Sequence, residues 1–393
     1  MSLYAQHGYG KSTKIEHGIN ENIISGIILS PKAEKPEKIK EFIDITKDNH
    51  PDIDVMFDPQ FYICAFSGDL SDGKLSEYPY YISELSRANL SVPKNIQKYA
   101  KDVIDFQTEL NVSKIVSPTI LIDDFNGKQS QIAISLAYES ISLLDAENRL
   151  MISLCINENA FKNLDAMNEF LDIISLLDVK GFYLIIDRSN NNKEPLIDVN
   201  ILTNIMKFCY VLATVNEFEV ILGYTDLLSI PLITTGISAT ACGWHNGQKM
   251  FSEANFQRST GGRRARKRYT SNKLMNSILI IPEVTIVKNF GKFKDIMSTT
   301  IYDNLLLSST GDSEWSDEIS CLHNWSSLKI LIDEIKSCET IGERLDCVTE
   351  KIVFANKLYR MFSDKVPFES RSSKSHLNVW LAAISEFRNQ IGE

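Results

Sequence analysis

The sequence lacks the long apolar segments of membrane-spanning and secreted proteins. No window reaches the about 18 uninterrupted apolar residues of a transmembrane helix, and the first residues, MSLYAQHGYGKSTK, contain no apolar signal-peptide core. Basic residues are also too few to outweigh the acids, since 41 Lys and Arg face 51 Asp and Glu, for a net charge of −10. We therefore expect a soluble protein without membrane contact, in which any contact with nucleic acid is local.

Cysteine is sparse and widely spaced, which argues against a disulfide scaffold. The seven cysteines form no tight repeat and lie mostly in apolar stretches. This pattern is typical of reduced thiols and predicts a cytoplasmic protein. Cys321, His323, Cys338 and Cys347 are of the residue types that bind zinc, but their spacing fits no common zinc motif. We therefore expect no metal and no other cofactor.

Short apolar runs rich in Ile, Val and Phe recur along the first 290 residues and predict buried strands. There are eight of them in the sequence: 23–29, 53–57, 115–122, 150–156, 182–186, 218–222, 237–242 and 278–287. Segments with apolar residues three and four apart lie between them and predict helices at 96–110, 132–144, 164–177 and 199–215. Eight alternating units favour a parallel α/β architecture, a (β/α)8 TIM-like barrel, although periodicity alone also allows a doubly wound sheet.

The pattern changes near residue 294, after which strand signals are weak. Residues 325–338, 339–362 and 373–390 have helical spacing, and no Pro, Gly or Ser-rich linker precedes them. We therefore predict two regions, a TIM-like barrel over residues 1–293 and an α-helical C-terminal extension over residues 294–393 that packs on it.

Polar residues follow several of the predicted strands. They are Asp58, Asp123 with Asp124, Asn157 and Asp187. The loops after the strands build the active face of such a barrel, so these side chains are predicted to converge there. Carboxylates at this position can act as acid, base or nucleophile, or can accept hydrogen bonds from a purine edge. Acidic residues also begin loops and cap helices for structural reasons alone, and that interpretation stays open for each one.

One stretch resembles a known family, the tRNA-guanine transglycosylases (queuine tRNA-ribosyltransferases). Residues 220–228 (VILGYTDLL), 236–242 (GISATAC) and 245–251 (HNGQKMF) are similar to the family's Met-Gly-x-Gly strand, its Gly-Val-Asp-x-Phe-Asp-Cys strand and its Arg-Asn-Gly turn. Upstream, the Asp58 segment is similar to the family's Asp-Ser-Gly-Gly-Phe-Gln. The resemblance spans roughly residues 20 to 290, at low identity but in consistent order, and it implies a barrel enzyme that exchanges guanine for a 7-deazaguanine base.

The resemblance also indicates what is missing. Ala241 stands where the family has its aspartate nucleophile, and a methyl group cannot form the glycosyl-enzyme bond. The family's zinc motif is absent, and bulky residues, Ile185 and Ile186 or their neighbours, replace its paired glycines. No catalytic residue is therefore assigned, and Asp58 and Asp123 remain the candidates.

The resemblance still implies a binding site for a purine-like base. Asp58 and Asp123 would accept hydrogen bonds from the Watson–Crick edge of a 7-deazaguanine. Phe61 or Tyr62 would stack on one face of the ring and Leu222 would lie on the other. Asn157, Asp187 and Gly223 complete the predicted base-binding set. For the aromatic residues, ordinary core packing is an equally good interpretation.

A basic segment stands out in this acidic chain. Seven cations fall within residues 258–273, and those predicted to bind a partner are Arg263, Arg264, Arg266, Lys267 and Arg268. Such a run would attract the phosphates of tRNA or DNA, or an acidic protein surface, while a plain solvated loop is the structural alternative.

Two functional hypotheses follow. The first is a base-binding protein that has lost aspartate-based exchange, similar to the transglycosylase-like components of type IV CBASS anti-phage operons. Its partners would be a protein resembling 7-cyano-7-deazaguanine synthase and a nucleotidyltransferase. The second is an active transferase on tRNA or DNA that uses Asp58, Asp123 or Asp187 as nucleophile. A pure scaffold with Ile185 and Ile186 filling the barrel is a third interpretation, and the family resemblance also allows a homodimer.

Overall fold

The computed structural model describes residues 1–83, 85–144, 149–188, 195–258, 261, 265–308 and 314–393. Strands β1 to β11 in this part of the chain are Ser2–Gln6, Gly26–Leu29, Asp54–Phe57, Ile115–Val116, Leu121–Ile122, Leu150–Asn157, Gly181–Asp187, Glu219–Leu222, Ala239–Cys242, Arg268–Ser271 and Asn276–Leu279. Helices α1 to α15 are Lys14–Asn20, Pro36–Asn49, Arg87–Leu90, Pro93–Thr108, Lys128–Ser142, Leu164–Ile174, Val199–Tyr210, Ser229–Ile233, Asn246–Lys249, Thr285–Asn289, Phe293–Ile296, Asp303–Ser308, Asp317–Lys336, Ile341–Phe362 and Ser375–Ile391.

The first nine strands form a nearly closed parallel barrel. The order is β3-β2-β1-β9-β8-β7-β6-β4, with β5 continuing the β4 position beside β6. A parallel bridge between Met56 and Lys114 brings β3 next to the start of β4, which nearly closes the ring. This is a mixed α/β barrel of eight strand positions, consistent with the predicted TIM-like fold.

One predicted strand is wrong. Residues 278–287 do not enter the barrel, because β11 pairs antiparallel with β10 outside it and α10 begins at Thr285. Pro282 within this run cannot donate a ladder hydrogen bond, which opposes a central strand. The missing barrel strand is β1, which lies between β2 and β9. Its sequence, SLYAQ, lacks the Ile, Val and Phe that marked the other strands.

The predicted helices are confirmed. Helices α4 to α7 cover the barrel, and α13 to α15 occupy the C-terminal region. A capping box begins α14, where Thr340 and Glu343 satisfy each other's backbone N–H groups. Helix α13 packs against β1 and β10, and α15 packs against α7. The C-terminal helices and the β10-β11 hairpin therefore rest on the barrel wall, while the predicted boundary at residue 293 stays a prediction.

The central strands β6 and β7 carry the candidate side chains. Every residue of β7 is buried, as is every residue of β6 except the last, so both strands are apolar on both faces. Their paired ends are Asn157 and Asp187. The ends of β6 and β7 therefore place an amide and a carboxyl group side by side at one end of the barrel.

Candidate functional site

Asp58 follows β3 and is fully enclosed at the C-terminal end of the barrel. Its Oδ2 accepts hydrogen bonds from the hydroxyls of Tyr62 at 2.9 Å, Tyr183 at 3.3 Å and Tyr224 at 3.3 Å. Its Oδ1 accepts the backbone N–H of Gln60 at 3.0 Å. Protein donors therefore surround one of the two carboxyl groups, Asp58 and Asp123, that sequence analysis proposed for base binding.

Gln60 connects the hydrogen bonds around Asp58 to residues at the ends of neighbouring strands. Its backbone is left-handed, with φ of 50°, which turns the chain sharply after Asp58. Its side-chain Nε2 donates to Tyr224 Oη at 2.7 Å, and its Oε1 accepts Ser30 Oγ at 2.9 Å and the Lys32 N–H at 3.2 Å. The tyrosine-capped carboxyl is thus held rigidly between the ends of β2, β3 and β8.

Burial dominates the electrostatics of Asp58. It raises the pKa of Asp58 to about 6, although the hydrogen bonds from Gln60 and the tyrosines act in the opposite direction. No Lys, Arg or His among the described residues forms an ion pair with this carboxyl group. At neutral pH the site therefore holds a largely ionised carboxylate that only hydroxyl and amide dipoles compensate.

Asn157 and Asp187 are brought together as predicted by their strand positions. Asn157 Nδ2 donates to Asp187 Oδ2 at 2.7 Å, and the backbone N–H of Glu253 donates to Asp187 Oδ1 at 2.9 Å. Burial raises the pKa of Asp187. This pair anchors the loop that carries Glu253 to the end of β7.

Asp123 has a different environment, because it is exposed at the end of β5. It accepts a hydrogen bond from Gln129 Nε2 at 3.3 Å. It lines a cleft of about 480 Å³ together with Glu253 and the ring of Phe66. Burial raises the pKa of Glu253, and the negative charges of Asp187 and Asp123 raise it further. Two carboxylates, the Lys128 side chain and Phe66 therefore line the same cleft.

The predicted stacking residues lie in the core. Phe61 and Tyr62 are each 1% exposed, and the Phe61 ring packs 5.7 Å from that of Tyr99. Tyr62 contributes its hydroxyl to Asp58, and Leu222 is fully buried. Gly223 must be glycine because a Cβ there would collide with the Tyr183 ring.

Ala241 is fully buried in β9, with its methyl group toward the barrel interior. The neighbouring side chain, Cys242, faces outward, since Asn324 of α13 donates to its Sγ at 3.5 Å. Alternate strand residues point to opposite sides, which turns Ala241 inward. Asp226, a carboxylate that sequence analysis did not consider, lies on the Cys242 side of β9, with its Oδ1 3.7 Å from Cys242 Sγ.

The basic segment borders a cleft of about 580 Å³ between the barrel mouth and the C-terminal helices. Its cationic lining residues are Lys14, Lys249, Arg266, Lys267, Arg268 and Arg371. Arg266 and Arg268 both pair with Glu369. Arg263 and Arg264, predicted for the same role, lie outside the described residues. The positive segment thus joins cations from distant parts of the chain, which its sequence spacing could not reveal.

Within the described ranges, no group of three His, Cys, Asp or Glu side chains is placed to hold a metal ion. His323 is buried, with Nδ1 3.0 Å from Thr300 Oγ1 and Nε2 3.0 Å from the Thr270 carbonyl oxygen. All seven cysteines are free. In the part of the chain that the structure describes, no helix combines the length and hydropathy needed to cross a bilayer.

Comparison with protein-family models finds no match, and comparison with curated proteins finds none either. The transglycosylase resemblance therefore stays a prediction that rests on the motifs above. Tyr183, Tyr224, Gln60 and Glu253 are the site residues that sequence analysis missed. Tyr183 lies inside an apolar strand, where its hydroxyl gives no periodic signal.

Proposed function

We propose that the protein binds a 7-deazaguanine-type base, or a conjugate of one, in the cleft beside Asp123. The observation that carries this proposal is the exposed Asp123 carboxylate at a barrel strand end, in a cleft shared with Glu253 and Phe66. Asp58, the other candidate, already accepts hydrogen bonds from three tyrosine hydroxyls. We therefore assign the hydrogen bonds to the base to Asp123.

The chemistry of the cleft suits a ring with a donor-rich edge. A guanine-type base presents a ring N–H and an exocyclic amino group side by side, and ionised carboxylates only accept hydrogen bonds. Asp123 and Glu253 supply two such acceptors, and charge-assisted hydrogen bonds of this kind are the strong ones. The Phe66 ring, 9% exposed, offers an apolar surface against which a planar base can pack.

Binding without base exchange is the favoured activity. The two-step displacement needs a carboxylate that attacks the anomeric carbon, and β9 presents the Ala241 methyl group at the matching position. By the resemblance, such a protein would belong to a type IV CBASS nucleobase-modification system, with a deazaguanine-synthase-like protein and a nucleotidyltransferase as partners.

A polyanion is the proposed second ligand, and the basic cleft is its proposed contact. Six cations line this cleft in a chain of net charge −10, which favours the phosphates of tRNA or DNA. Nucleic-acid binding should weaken steeply as salt rises, and Lys267→Gln should reduce the salt dependence by about one contact. Binding that depends on the purified operon partner instead would assign the cleft to an acidic protein surface.

The base proposal is tested by titration calorimetry with 7-cyano-7-deazaguanine. Wild-type protein should bind it, and Asp123→Asn should weaken binding about 10-fold or more, because a charge-assisted hydrogen bond contributes about 1.5–3 kcal/mol. Glu253→Gln should weaken it similarly. The matched control is Asp124→Asn, an exposed neighbour whose Oδ1 accepts the Asn126 N–H and which does not line the cleft.

Two results would overturn the proposal. One is the absence of heat with this base and with guanine at protein concentrations that detect a millimolar affinity. The other is equal binding by wild type, Asp123→Asn and Glu253→Gln. Weakening by Asp124→Asn to the same extent would show that the effect is one of net charge.

Base exchange on tRNA or DNA is a second candidate, and one observation favours it. Asp226 lines the basic cleft and also a small cavity beside Gly223, next to the strand that carries Ala241. Asp226 pairs with Lys249 at 3.7 Å and accepts a hydrogen bond from Asn324 at 3.3 Å. Asp58 and Asp187, which were first considered as nucleophiles, are also held by internal hydrogen bonds. This candidate predicts a covalent nucleic-acid adduct on denaturing gels that Asp226→Asn abolishes. Absence of any adduct with tRNA and with DNA excludes it.

A further inference from the structure

A separate cavity of about 170 Å³ opens at the barrel mouth beside the ends of β1 and β2. His7, Lys32, Tyr224, His245 and Phe256 are among its lining residues. Asp123 and Glu253 do not line it, so it is distinct from the proposed base cleft. We propose that this cavity is a second ligand site, at which the Lys32 amine captures a small 2-oxo acid as an imine.

The surroundings of the Lys32 amine carry the first step. Its Nζ lies 4.2 Å from the centroid of the Phe256 ring and donates to the Asn255 carbonyl oxygen at 3.4 Å. Unlike Lys35, which pairs with Glu77 at 3.2 Å, Lys32 has no carboxylate ion pair among the described residues. The ring face and the carbonyl oxygen favour the protonated amine, but less strongly than a paired carboxylate would.

Burial of Lys32 favours its neutral amine. It lowers the pKa of Lys32 to about 8, with a smaller opposing effect from Asp72. At pH 7 about a tenth of such amines are neutral, against well under a thousandth for an ordinary lysine with a pKa near 10.4. The neutral amine is the nucleophile in Schiff-base formation, so the cavity contains a lysine suited to that chemistry.

His7 supplies a hydrogen-bond donor on the same cavity wall. It is 2% exposed, and its Nδ1 accepts the backbone N–H of Ser30 at 3.3 Å. Burial lowers the pKa of His7 to about 3, so the ring is neutral and its single proton must be on Nε2. Within the described part of the chain, Nε2 has no hydrogen-bond partner. A buried donor without a partner costs about 1–3 kcal/mol, which a ligand oxygen would recover.

The shape and charge of the cavity define the ligand class. An apolar cavity of about 150 Å³ accommodates benzene, so about 170 Å³ limits the ligand to a few heavy atoms. The neutral His7 ring can donate a hydrogen bond to a carboxylate oxygen, and the Lys32 amine suits a carbonyl carbon. A short 2-oxo acid combines both groups.

The reaction balances without an oxidant or reductant. The neutral Lys32 nitrogen attacks the carbonyl carbon, a C–N bond forms, and the carbonyl oxygen takes up a proton. Loss of that oxygen as water then gives the C=N bond, so amine and ketone yield imine and water. Partial burial of the His245 ring lowers its pKa. The lowered pKa favours the neutral His245 ring, which lines the same cavity and can accept the proton that the attacking nitrogen releases.

The experiment uses the full chain, pyruvate and cyanoborohydride, which reduces the imine to a stable adduct. Peptide mass mapping should find the adduct at Lys32 and much less at Lys35 and Lys74 of the same molecules. Lys32→Arg keeps the positive charge and should abolish the selective adduct, while the matched control Lys35→Arg should leave it unchanged. The trapping rate should rise with pH and reach half its maximum near pH 8.

A second comparison tests His7 separately from the amine. His7→Phe should lower trapping of pyruvate several-fold and leave trapping of acetaldehyde, which has no carboxylate, within about twofold. The imine proposal is refuted if Lys32, Lys35 and Lys74 are labelled to the same extent in wild-type protein, a result that requires no folded variant. If His7→Phe lowers the trapping of pyruvate and of acetaldehyde equally, the proposed carboxylate contact is refuted.

Discussion

Asp58 and Asp123 occupy equivalent places in the barrel and have opposite environments. Each follows a parallel strand at the same end, Asp58 after β3 and Asp123 after β5. Asp58 is fully buried and surrounded by tyrosine hydroxyls, whereas Asp123 is exposed in an open cleft. The position of a carboxylate at a strand end therefore does not decide its role. Its role depends on the hydrogen-bond donors that already surround it.

This comparison separates a structural carboxyl group from one that can receive a ligand. Asp58 closes the centre of the barrel mouth through Tyr62, Tyr183 and Tyr224. The open space lies at the rim, beside the Phe66 and Glu253 loops. The following substitutions test whether the two aspartates differ as much in energy as in geometry.

The largest expected effect is the stability cost of removing each carboxylate. Asp58→Ala should lower the free energy of unfolding by about 4 kcal/mol, because three hydroxyls and one N–H lose their acceptor at about 1–3 kcal/mol each. Asp123→Ala should change it by no more than about 0.5 kcal/mol, as exposed substitutions usually do. Urea denaturation at pH 5 measures both values, and similar costs for the two variants would remove the distinction.

The next effect is the pH dependence of stability. Burial raises the pKa of Asp58 from its ordinary value near 4 to about 6, so ionisation is less favourable in the folded state. This contribution to stability is complete below about pH 4 and is lost as pH rises to about 6. The loss amounts to about 3 kcal/mol.

Asp58→Asn should remove that loss, because the amide does not titrate. The quantity to compare is the difference in unfolding free energy between wild type and variant, measured from pH 4 to pH 7. It should shift by about 3 kcal/mol in favour of the variant over that range. Asp123→Asn serves as the exposed control. A pH-independent difference for Asp58→Asn would mean that the carboxyl group titrates normally.

The smallest effect concerns a single hydroxyl. Tyr183→Phe removes one donor at 3.3 Å from Asp58 and should cost about 1 kcal/mol. It should also raise the pKa of Asp58 further, since a hydrogen bond to the ionised form is lost. Tyr138, which is 52% exposed, provides the matched Tyr→Phe control with almost no effect. A cost for Tyr183→Phe no greater than the control would show that this hydroxyl does not stabilise the carboxylate.

The architecture was largely predictable because it depends on local sequence signals. Apolar runs and helical spacing identified seven of the eight strand positions of the barrel and the helices between them. The exception, β1, has one Leu, one Tyr and one Ala between polar ends, so its burial comes from the partners on both sides. Local patterning cannot register that kind of tertiary stabilisation.

The location of the strand-end acids was predictable, but their environments were not. Parallel strands finish at one end of a barrel, so the acids that follow them lie at that end. Which acid is open depends on Tyr183, Tyr224 and Glu253, which are far from Asp58 and Asp123 in sequence. Such side chains meet only after the ring has assembled, so spacing along the chain carries no information about them.

The pairing of β1 with β9 has a consequence for how the protein is made. On the ribosome β1 emerges early, and its partner β9 follows only after almost the entire barrel has been translated. Until then the nascent sheet has unpaired backbone on the β1 side, which exposes it to intermolecular association. Chaperone demand during synthesis should therefore be concentrated before residue 242 leaves the exit tunnel.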